Sequence, residues 1–397
     1  MSKWRLEFLL FSIYLAFGIS WLAYAPLLPE LEKLFGVTHA KGAMIISLVS
    51  VSKAFVPLLA GILATRLGLG RALGIGALLA SLSVLVPLAS DFNTLLVLRF
   101  FFGVGGAVVV TLMGAVTMRL FERSELPMVN GLNNVAVNCG ITVALFATVP
   151  LTRLIGWKAA LTGMGSISLV LALAWWWLYA GKLTVSTQAA PKGEWMSVLK
   201  RRETWLVALA FTGPLSLYLS LNTWLPTYYQ AAFGLDKAAA SQTTGMFNLV
   251  GIPVALLGGW LTARLGLRRP LIVTAGLMMP VAALGMIQAE ESWLRLLSAA
   301  FLGASFFLYV APLFTIPMEL KGMRPESVAL LSGVVFSTAY AVSFLAPTMV
   351  GWLEQVTGSF LPGLRVVAFG SASLALAGWL LPETGRRPVA LRLAPEG

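Results

Sequence analysis

Charged side chains are scarce in this sequence. Only 11% of its 397 residues are Asp, Glu, Lys or Arg, whereas ordinary soluble domains carry about 25%. Hydrophobic residues make up 58% of the chain, and the mean hydropathy is +0.86. We therefore predict an all-α membrane protein that crosses the bilayer many times. Lipid leaves no backbone group unpaired, and the long apolar runs suit helices better than β-strands.

Cysteine and histidine are almost missing as well. Cys139 is the single cysteine and His39 the single histidine. A single cysteine excludes a disulfide within the chain. The chain also has too few cysteine and histidine side chains for a typical metal site or a nucleophilic catalytic triad. No GxxxxGK[ST] loop occurs, which leaves an ATP-driven pump without support. We therefore expect that the protein is not an enzyme and that it needs neither a cofactor nor a metal ion. His39 precedes the second span and is expected to be a solvated loop residue.

The apolar runs predict twelve membrane spans, namely 8–28, 43–64, 71–90, 94–120, 129–152, 158–181, 204–225, 240–263, 270–289, 293–318, 328–353 and 362–382. Loops on the side of the N-terminus hold 19 of the 28 Lys and Arg residues, and loops on the other side hold 7. The positive-inside rule then places both termini in the cytoplasm, with the protein in the plasma (inner) membrane. This distribution explains the net charge of +12 by topology, without nucleic-acid binding. All 16 acidic residues fall in loops or at span ends.

Two stretches of the sequence repeat each other. Gly61–Arg71 reads GILATRLGLGR and Gly259–Arg269 reads GWLTARLGLRR, with seven of eleven positions identical at an offset of 198 residues. A duplicated six-span unit explains this match, and parallel repeats of this kind build transporters with a site at the repeat interface. We predict an N-terminal bundle over 1–181, a cytoplasmic linker over 182–203 and a C-terminal bundle over 204–397.

The repeated loop resembles the signature of the major facilitator superfamily, and Arg99–Ala107 (RFFFGVGGA) resembles the RxxxGxGxA pattern of its fourth span. The resemblance implies twelve transmembrane helices in two pseudo-symmetric six-helix bundles. An aspartate that the superfamily usually has in this loop is replaced by Thr65 and Ala263, which removes the usual acid of a gating salt bridge from both halves. The loop residues with implied gating roles are Gly61, Arg66, Gly68, Arg71, Gly259, Arg264, Gly266 and Arg269.

Shorter stretches resemble subgroups of the superfamily. Ser220–Tyr229 (SLNTWLPTYY) looks like the end of span 7 in the cyanate and nitroimidazole transporter group, and the triple tryptophan 175–177 also fits that group. A lone cation in span 2 is similar to the anion-binding position of nitrate/nitrite porters. The glycine-rich Asn-Gly signature of those porters is missing from span 11.

Lys53 lies in the middle of the apolar run 43–64. A lysine at that depth costs roughly 2.5–3.5 kcal/mol on insertion scales, and intramembrane charges usually mark a substrate or ion path. The other spans offer no carboxylate partner. We therefore expect the substrate to bring the missing negative charge. Backbone carbonyls, an asparagine of a neighbouring helix or an uncharged lysine are the structural alternatives.

Other polar residues of the spans extend the candidate site. Asn130, Asn134 and Asn138 share one stripe of span 5 at i, i+4, i+8; the stripe is either a donor surface in the transport cavity or a set of helix–helix hydrogen bonds. Arg99 offers a planar fork suited to a carboxylate, although superfamily members use this arginine to brace neighbouring helices. The remaining candidate substrate-binding residues are Tyr24, Tyr218, Asn222, Asn248 and Tyr340. Trp21 and Trp224 either join an aromatic rim over the site or lie at the membrane–water interface.

The sequence thus predicts a monomeric secondary or facilitative transporter that moves a small anion or a carboxylated solute by alternating access. Its expected partners are that solute and the lipid bilayer. Binding neutralises a buried charge, which favours exchange or facilitated transport, whereas proton symport is harder to justify because no carboxylate lies within a predicted span. The alternatives are a proton-coupled exporter of drug-like amphiphiles, an organic-cation carrier with a tryptophan cage, and a non-transporting sensor on the same fold.

Overall fold

The described part of the protein is built from helices and their connections. The computed structural model describes residues 3–122, 126–183, 194–321, 323 and 325–385, without the helix side chains at 57–59, 61, 62, 65, 118, 119, 126–128, 130, 131, 134, 194, 195, 263, 325, 326 and 329. The helices up to residue 183 are α1 (Lys3–Leu22), α2 (Leu28–Phe35), α3 (His39–Leu67), α4 (Leu69–Ala80), α5 (Phe92–Leu120), α6 (Leu126–Ile155) and α7 (Trp157–Leu178). Two 3-10 helices, Ala25–Leu27 and Ser81–Leu88, continue α1 and α4.

The helices after residue 193 follow the same plan. They are α8 (Glu194–Leu199), α9 (Arg202–Phe233), α10 (Lys237–Leu265), α11 (Arg269–Gln288), α12 (Ser292–Leu308), α13 (Val310–Glu319), α14 (Pro325–Ser343), α15 (Leu345–Thr357), α16 (Leu361–Gly370) and α17 (Ser373–Leu380). Within the described residues, twelve segments are long and apolar enough to cross a membrane. The predicted all-α membrane fold with twelve spans is therefore confirmed.

Two spans of the second half are interrupted by proline. Pro312 follows the break at Tyr309 between α12 and α13, and Pro347 follows the break at Phe344 between α14 and α15. A proline has no N–H for the carbonyl four residues earlier, so it bends or breaks the helix there. Each of these spans therefore consists of two shorter helices.

The helices pack in the order that a duplicated unit suggests. In the first half (3–183) α1 packs on α6 and α3 on α5, and in the second half (194–385) α9 packs on α14 and α10 on α12. Gly18 and Gly140 let the backbones of α1 and α6 touch, because a Cβ at either glycine would collide with the carbonyl oxygen of the facing helix. The two halves meet where α6 lies against α10 and where α3 lies against α14 and α15.

The helix ends define two faces of the molecule. We call the face that contains Lys3, Gly68 and Arg268 the terminal face, and the face that contains His39 and Asp91 the far face. Asp91 caps α5 at the far face by accepting hydrogen bonds from the backbone N–H groups of Asn93 and Thr94, at 2.9 and 3.0 Å. Hydrogen bonds from the Thr94 side chain and backbone lower the pKa of this exposed carboxyl group.

Candidate functional site

Lys53 lies between the two halves of the protein, at the middle of α3. Its side chain is only 4% exposed. The ammonium nitrogen lies 4.1 Å from the ring centre of Trp21 and 5.2 Å from that of Phe17, both on α1. On the other side it lies 5.2 Å from the ring centre of Tyr340, which belongs to α14. Aromatic faces of both halves therefore surround the charge.

The Lys53 ammonium group has no anionic counterpart in the described part of the chain. Its nitrogen contacts no carboxylate and no other hydrogen-bond acceptor among the described residues. The aromatic faces attract the cation, by about 0.5–2 kcal/mol according to its desolvation, but they leave its N–H donors unused. An ammonium group carries three such donors, so Lys53 retains the capacity to bind an anion.

A network of three asparagines and one tyrosine joins the halves at the same depth. The Tyr218 hydroxyl lies 2.7 Å from Asn248 Oδ1 and 2.9 Å from Asn138 Oδ1. Its single proton serves one of these oxygens at a time. Asn248 Nδ2 donates to Asn222 Oδ1 at 2.8 Å, and Asn222 Nδ2 donates to the Tyr218 carbonyl oxygen at 2.9 Å. Asn138 is on α6, whereas the other three residues are on α9 and α10, so the network spans the interface between the halves.

Tyr340 brings the second half next to Lys53. Its ring lies 5.2 Å from the ammonium group and stacks on Phe336 of the same helix, with 6.4 Å between ring centres. Tyr14, Tyr309 and Phe17 were not among the residues predicted from the sequence. A usable signal was present for the tyrosines, because the chain has only eight of them and four lie inside spans around this point.

Arg99 is fully buried and bonded to the backbone. Its Nε donates to the Ile45 carbonyl oxygen at 2.7 Å, and its Nη1 and Nη2 donate to the carbonyl oxygens of Ser20 and Trp21, each at 2.9 Å. Ser20 and Trp21 lie in the last turn of α1, where carbonyls lack an intrahelical partner. The guanidinium group therefore ties α5 to the end of α1 and to α3.

The Tyr24 ring packs against the Arg99 guanidinium group and is not one of the rings around Lys53. Its ring centre lies 4.5 Å from the guanidinium carbon of Arg99, and Phe102 lies at 4.6 Å. This geometry favours the bracing alternative for Arg99. The two predicted substrate-binding residues Arg99 and Tyr24 are thus occupied with each other and with the backbone.

Trp21 and Trp224 both lie inside the protein. Trp21 is 3% exposed and donates to the Ile46 carbonyl oxygen at 3.1 Å. Trp224 is fully buried and donates to the Pro347 carbonyl oxygen at 2.7 Å. Both tryptophans therefore face the protein interior, and their place in an aromatic rim over the site stays a prediction.

The predicted asparagine stripe of α6 is only partly described. The side chains of Asn130 and Asn134 lie outside the described residues, while Asn138 takes part in the network above. The neighbouring Asn133 is buried and donates to the Thr117 hydroxyl at 3.4 Å, within the first half.

His39 closes the far face instead of being a solvated loop residue. It begins α3, and its Nδ1 lies 2.7 Å from Glu32 Oε2, while its Nε2 lies 3.4 Å from Glu354 Oε2 in the second half. The Trp224 ring meets the imidazole edge-on at 5.5 Å, and the Phe360 ring lies at 5.4 Å. The sequence-based expectation was wrong because Glu32 of the preceding helix and residues of the distant second half converge on the start of α3.

Two further ion pairs join the halves at the far face. Lys237 Nζ lies 2.5 Å from Glu30 Oε1, and Arg153 Nη2 lies 3.9 Å from Asp236 Oδ2. The first pair is partly exposed and the second is exposed on both sides, so each contributes little to stability by itself. Together with His39 they hold the halves against each other on this side.

The repeated loops form tight turns at the terminal face. Gly68 ends α3 with φ 82° and Gly266 ends α10 with φ 62°, conformations that favour glycine. Arg66, Arg71 and Arg264 are exposed there. The other predicted gating residues are Gly61 within α3, whose surroundings lie outside the described part, Gly259 within α10, and Arg269, whose backbone N–H donates to Glu383 at 3.0 Å.

An ion pair at the second loop uses an arginine that the sequence analysis did not select. Arg268 Nη2 donates to Glu319 Oε1 at 2.8 Å, and its Nε donates to Glu319 Oε2 at 3.2 Å. Glu383 accepts from the Arg268 backbone N–H at 2.9 Å. The acidic partners of the second loop are thus Glu319, the last residue of α13, and Glu383, which lies three residues after the end of α17. Among the described residues, no group of three or more His, Cys, Asp and Glu side chains is arranged to hold a metal ion.

Comparisons with known proteins agree with this architecture. The chain is similar to a probable L-galactonate transporter of Escherichia coli, with 23% identity over 86% of this chain and 81% of the relative. A probable nitrate/nitrite antiporter of Thermus thermophilus shares 25% identity over 85% and 82% of the two chains. The 2-nitroimidazole transporter of Escherichia coli shares 25% identity over 89% of each. The predicted resemblance to the nitrate/nitrite porters and to the nitroimidazole transporter group is therefore confirmed.

The fold and the family agree as well. The crystal structure of a D-xylose–proton symporter superposes with a TM-score of 0.72, at 15% identity and over 97% of this chain and 99% of that one. The sequence model of the Major Facilitator Superfamily matches residues 10–347. The chain therefore belongs to the Major Facilitator Superfamily and is a membrane transporter of small solutes, not an enzyme.

Proposed function

We propose that this transporter carries a small anion or a carboxylated solute, and that Lys53 binds its negative charge. The observation that carries the proposal is the Lys53 ammonium group, which is buried between the halves with three aromatic rings around it and no acceptor among the described residues. A charged group in this position is costly without a counter-charge. An anion supplies that counter-charge and accepts the unused N–H donors.

The neighbouring polar residues suit the rest of such a solute. Tyr218, Asn138 and Asn248 hold hydroxyl and amide groups at the interface of the halves, where they can exchange bonds with each other for bonds with solute hydroxyl or carboxylate oxygens. Hydrogen bonds to a charged group contribute about 1.5–3 kcal/mol each. Lys53 would therefore supply affinity for the anionic group, and the network would orient the remainder of the solute.

We propose that transport proceeds by alternating access, and the position of these residues supports this mode. Lys53 and Asn138 belong to the first half, whereas Tyr340 and Tyr218 belong to the second half. Rocking of the halves separates these pairs, as well as the bridge from His39 to Glu354 at the far face. Because the solute neutralises Lys53, the loaded carrier meets a lower electrostatic barrier to this rearrangement than the empty carrier. Exchange or facilitated transport is the mode that we propose.

The names of two relatives support an anionic solute. One relative is named for L-galactonate, a sugar acid, and another for nitrate and nitrite, which are inorganic anions. We propose a plasma (inner) membrane location with both termini in the cytoplasm, supported by 19 Lys and Arg residues in the loops of that side against 7 in the others.

The aromatic rings themselves argue against an organic-cation carrier. Trp21, Phe17 and Tyr340 form the kind of cage that binds cations, but Lys53 already fills it. A second cation placed there would be repelled by the ammonium group in a medium of low dielectric constant.

A thermal-unfolding screen of the purified protein tests the proposal. The protein is heated with sodium galactonate, glucuronate or nitrate, in parallel with Lys53→Ala and the control Lys158→Ala. Lys158 also lies over a tryptophan ring, 5.5 Å from the centre of Trp157, but is exposed. We expect an anion that stabilises the wild type and Lys158→Ala but not Lys53→Ala, followed by counterflow of the same labelled anion in proteoliposomes. Equal stabilisation of all three proteins would remove Lys53 from the site.

A further inference from the structure

The second half of the repeat carries an aromatic ring where the first half carries the charge of Lys53. The offset of 198 residues between the repeated loops also relates α3 (His39–Leu67) to α10 (Lys237–Leu265) end for end. It makes Gly251 of α10 the counterpart of Lys53. A Cβ atom at Gly251 would collide with the ring of Phe307 on α12. The ring therefore lies in the direction in which a side chain at this position would point.

Further rings of the second half continue from Lys53. Tyr340, whose ring centre lies 5.2 Å from the ammonium nitrogen, stacks on Phe336, and Phe336 stacks on Phe314 of α13 with 5.1 Å between ring centres. Tyr340, Phe336, Phe314 and Phe307 are all partly exposed. Because α13 ends at the terminal face, the stacked rings form a row from Lys53 towards that face.

The site offers one positive charge to a solute. Arg99 uses its Nε, Nη1 and Nη2 donors on three carbonyl oxygens. In the six spans after residue 201, every described charged side chain lies within five residues of a span end, so none of them lies at the depth of Gly251. A solute with one negative charge neutralises Lys53, whereas a second negative charge would be buried without a partner, at a large cost.

We propose that the solute is a monovalent carboxylate with a flat, apolar body, of which benzoate is the simplest example. Its carboxylate binds the Lys53 ammonium group, and its ring packs against Phe307, Tyr340 and Phe336. Aromatic pairs in offset-stacked or edge-to-face geometry attract each other beyond the effect of buried area. This solute class rests on the anion transport proposed above and narrows it from any small anion to an arylcarboxylate.

Calorimetric titration of the purified full chain with three sodium salts tests the solute class. At equal ionic strength the protein receives benzoate, glucuronate or terephthalate. Glucuronate has the same single charge on a hydroxylated body, and terephthalate has the same ring with a second charge. We expect benzoate to bind about 10-fold more tightly than either of them, because solute hydroxyl groups against rings and a second buried charge are both costly. Lys53→Ala should lose the benzoate affinity.

The outcomes separate this solute class from the anion site itself. Glucuronate or terephthalate that binds as tightly as benzoate, and loses its affinity in Lys53→Ala, would overturn the arylcarboxylate and leave the anion site at Lys53 standing. Binding of all three anions that is unaffected by Lys53→Ala would overturn the anion site, and the solute class with it.

Phe307→Leu tests the ring contact apart from the charge. The ratio of the glucuronate Kd to the benzoate Kd should fall about 2- to 10-fold, since leucine keeps an apolar side chain but loses the aromatic pair. The control Phe301→Leu, at a ring of the same helix that is 49% exposed, should keep the wild-type ratio. A purely structural role of Phe307 would weaken both anions alike, and that unchanged ratio would overturn the proposal. Phe336→Leu gives the same readout if Phe307→Leu does not fold, and an unchanged ratio there would overturn the proposal as well.

Discussion

Replacing Lys53 by methionine separates a binding role of the ammonium group from a structural role. Methionine has a similar length, so Lys53→Met retains apolar contact with Phe17, Trp21 and Tyr340. It removes a charge whose burial costs roughly 2.5–3.5 kcal/mol on insertion scales, and it forfeits cation–π attraction of about 2 kcal/mol for a desolvated cation. We therefore expect the solute-free variant to be as stable as the wild type or slightly more stable.

The response to the anion should change far more. Losing a hydrogen bond to a charged group, about 1.5–3 kcal/mol, weakens binding by about 10- to 150-fold. At an anion concentration 100 times the wild-type Kd, mass action stabilises the wild type by about 2.7 kcal/mol. For a variant that binds 100-fold more weakly, the same concentration gives RT ln 2, or about 0.4 kcal/mol.

Calorimetric titration and thermal unfolding measure both quantities on the same preparation. Lys158→Met, at an exposed lysine over Trp157, controls for the loss of one positive charge and one aromatic contact. A Kd of Lys53→Met within twofold of the wild type would refute the binding role. A large loss of stability in the solute-free variant would instead assign the ammonium group a structural role.

The other contacts of the site and of its supports give three further expectations. Tyr218→Phe removes the hydroxyl between two buried asparagine oxygens, so we expect a loss of about 1–3 kcal/mol in stability and slower uptake in proteoliposomes; unchanged uptake would exclude the hydroxyl from transport. Arg99→Lys keeps the charge but cannot bond three carbonyl groups in fork geometry, so it should lower the unfolding free energy by about 3 kcal/mol, and a wild-type melting temperature would contradict bracing. His39→Ala removes the bridge to Glu354, worth about 1 kcal/mol for partly exposed pairs. Ser50 is fully buried in α3, so a cysteine placed there by Ser50→Cys, in a Cys139→Ser background, reports how often the far face opens. A loss of about 1 kcal/mol makes this opening about five times more frequent, so the thiol should react with a maleimide about five times faster in His39→Ala than with His39 present. An unchanged rate would exclude His39 from far-face closure.

The architecture could be predicted from the sequence because its signals are local. A span needs only a continuous apolar run, and the turns at Gly68 and Gly266 need only a glycine in the left-handed conformation. The length and the order of the spans follow from these two signals. Glu7 is buried in α1, one residue before the predicted first span, and His39 pairs with Glu32 and Glu354. The sequence missed both because hydropathy falls gradually near span ends, while burial depends on which residues of other helices converge there.

The candidate site could be predicted only in part, because its decisive contacts are between distant helices. Lys53 was identifiable as an unpaired charge, but its position on Trp21 and beneath Tyr340 depends on how α1 and α14 pack. Arg99 is the opposite case. A guanidinium group suits a carboxylate, yet its Nη1 and Nη2 atoms donate to the carbonyl oxygens of Ser20 and Trp21 at the end of α1. No pattern in the sequence predicts that these carbonyl oxygens lie within hydrogen-bond distance of Arg99.

The breaks at Tyr309 and Phe344 have a consequence for the range of solutes. Tyr309 lies at one break, and Tyr340 lies one turn before the other, whereas Arg99 ties the facing wall of the first half to three helices. One wall of the site is thus tied together by hydrogen bonds and carries the charge, while the opposite wall is divided at two breaks, each followed by a proline. We expect such a carrier to be strict about the sign of a solute's charge and tolerant of its size.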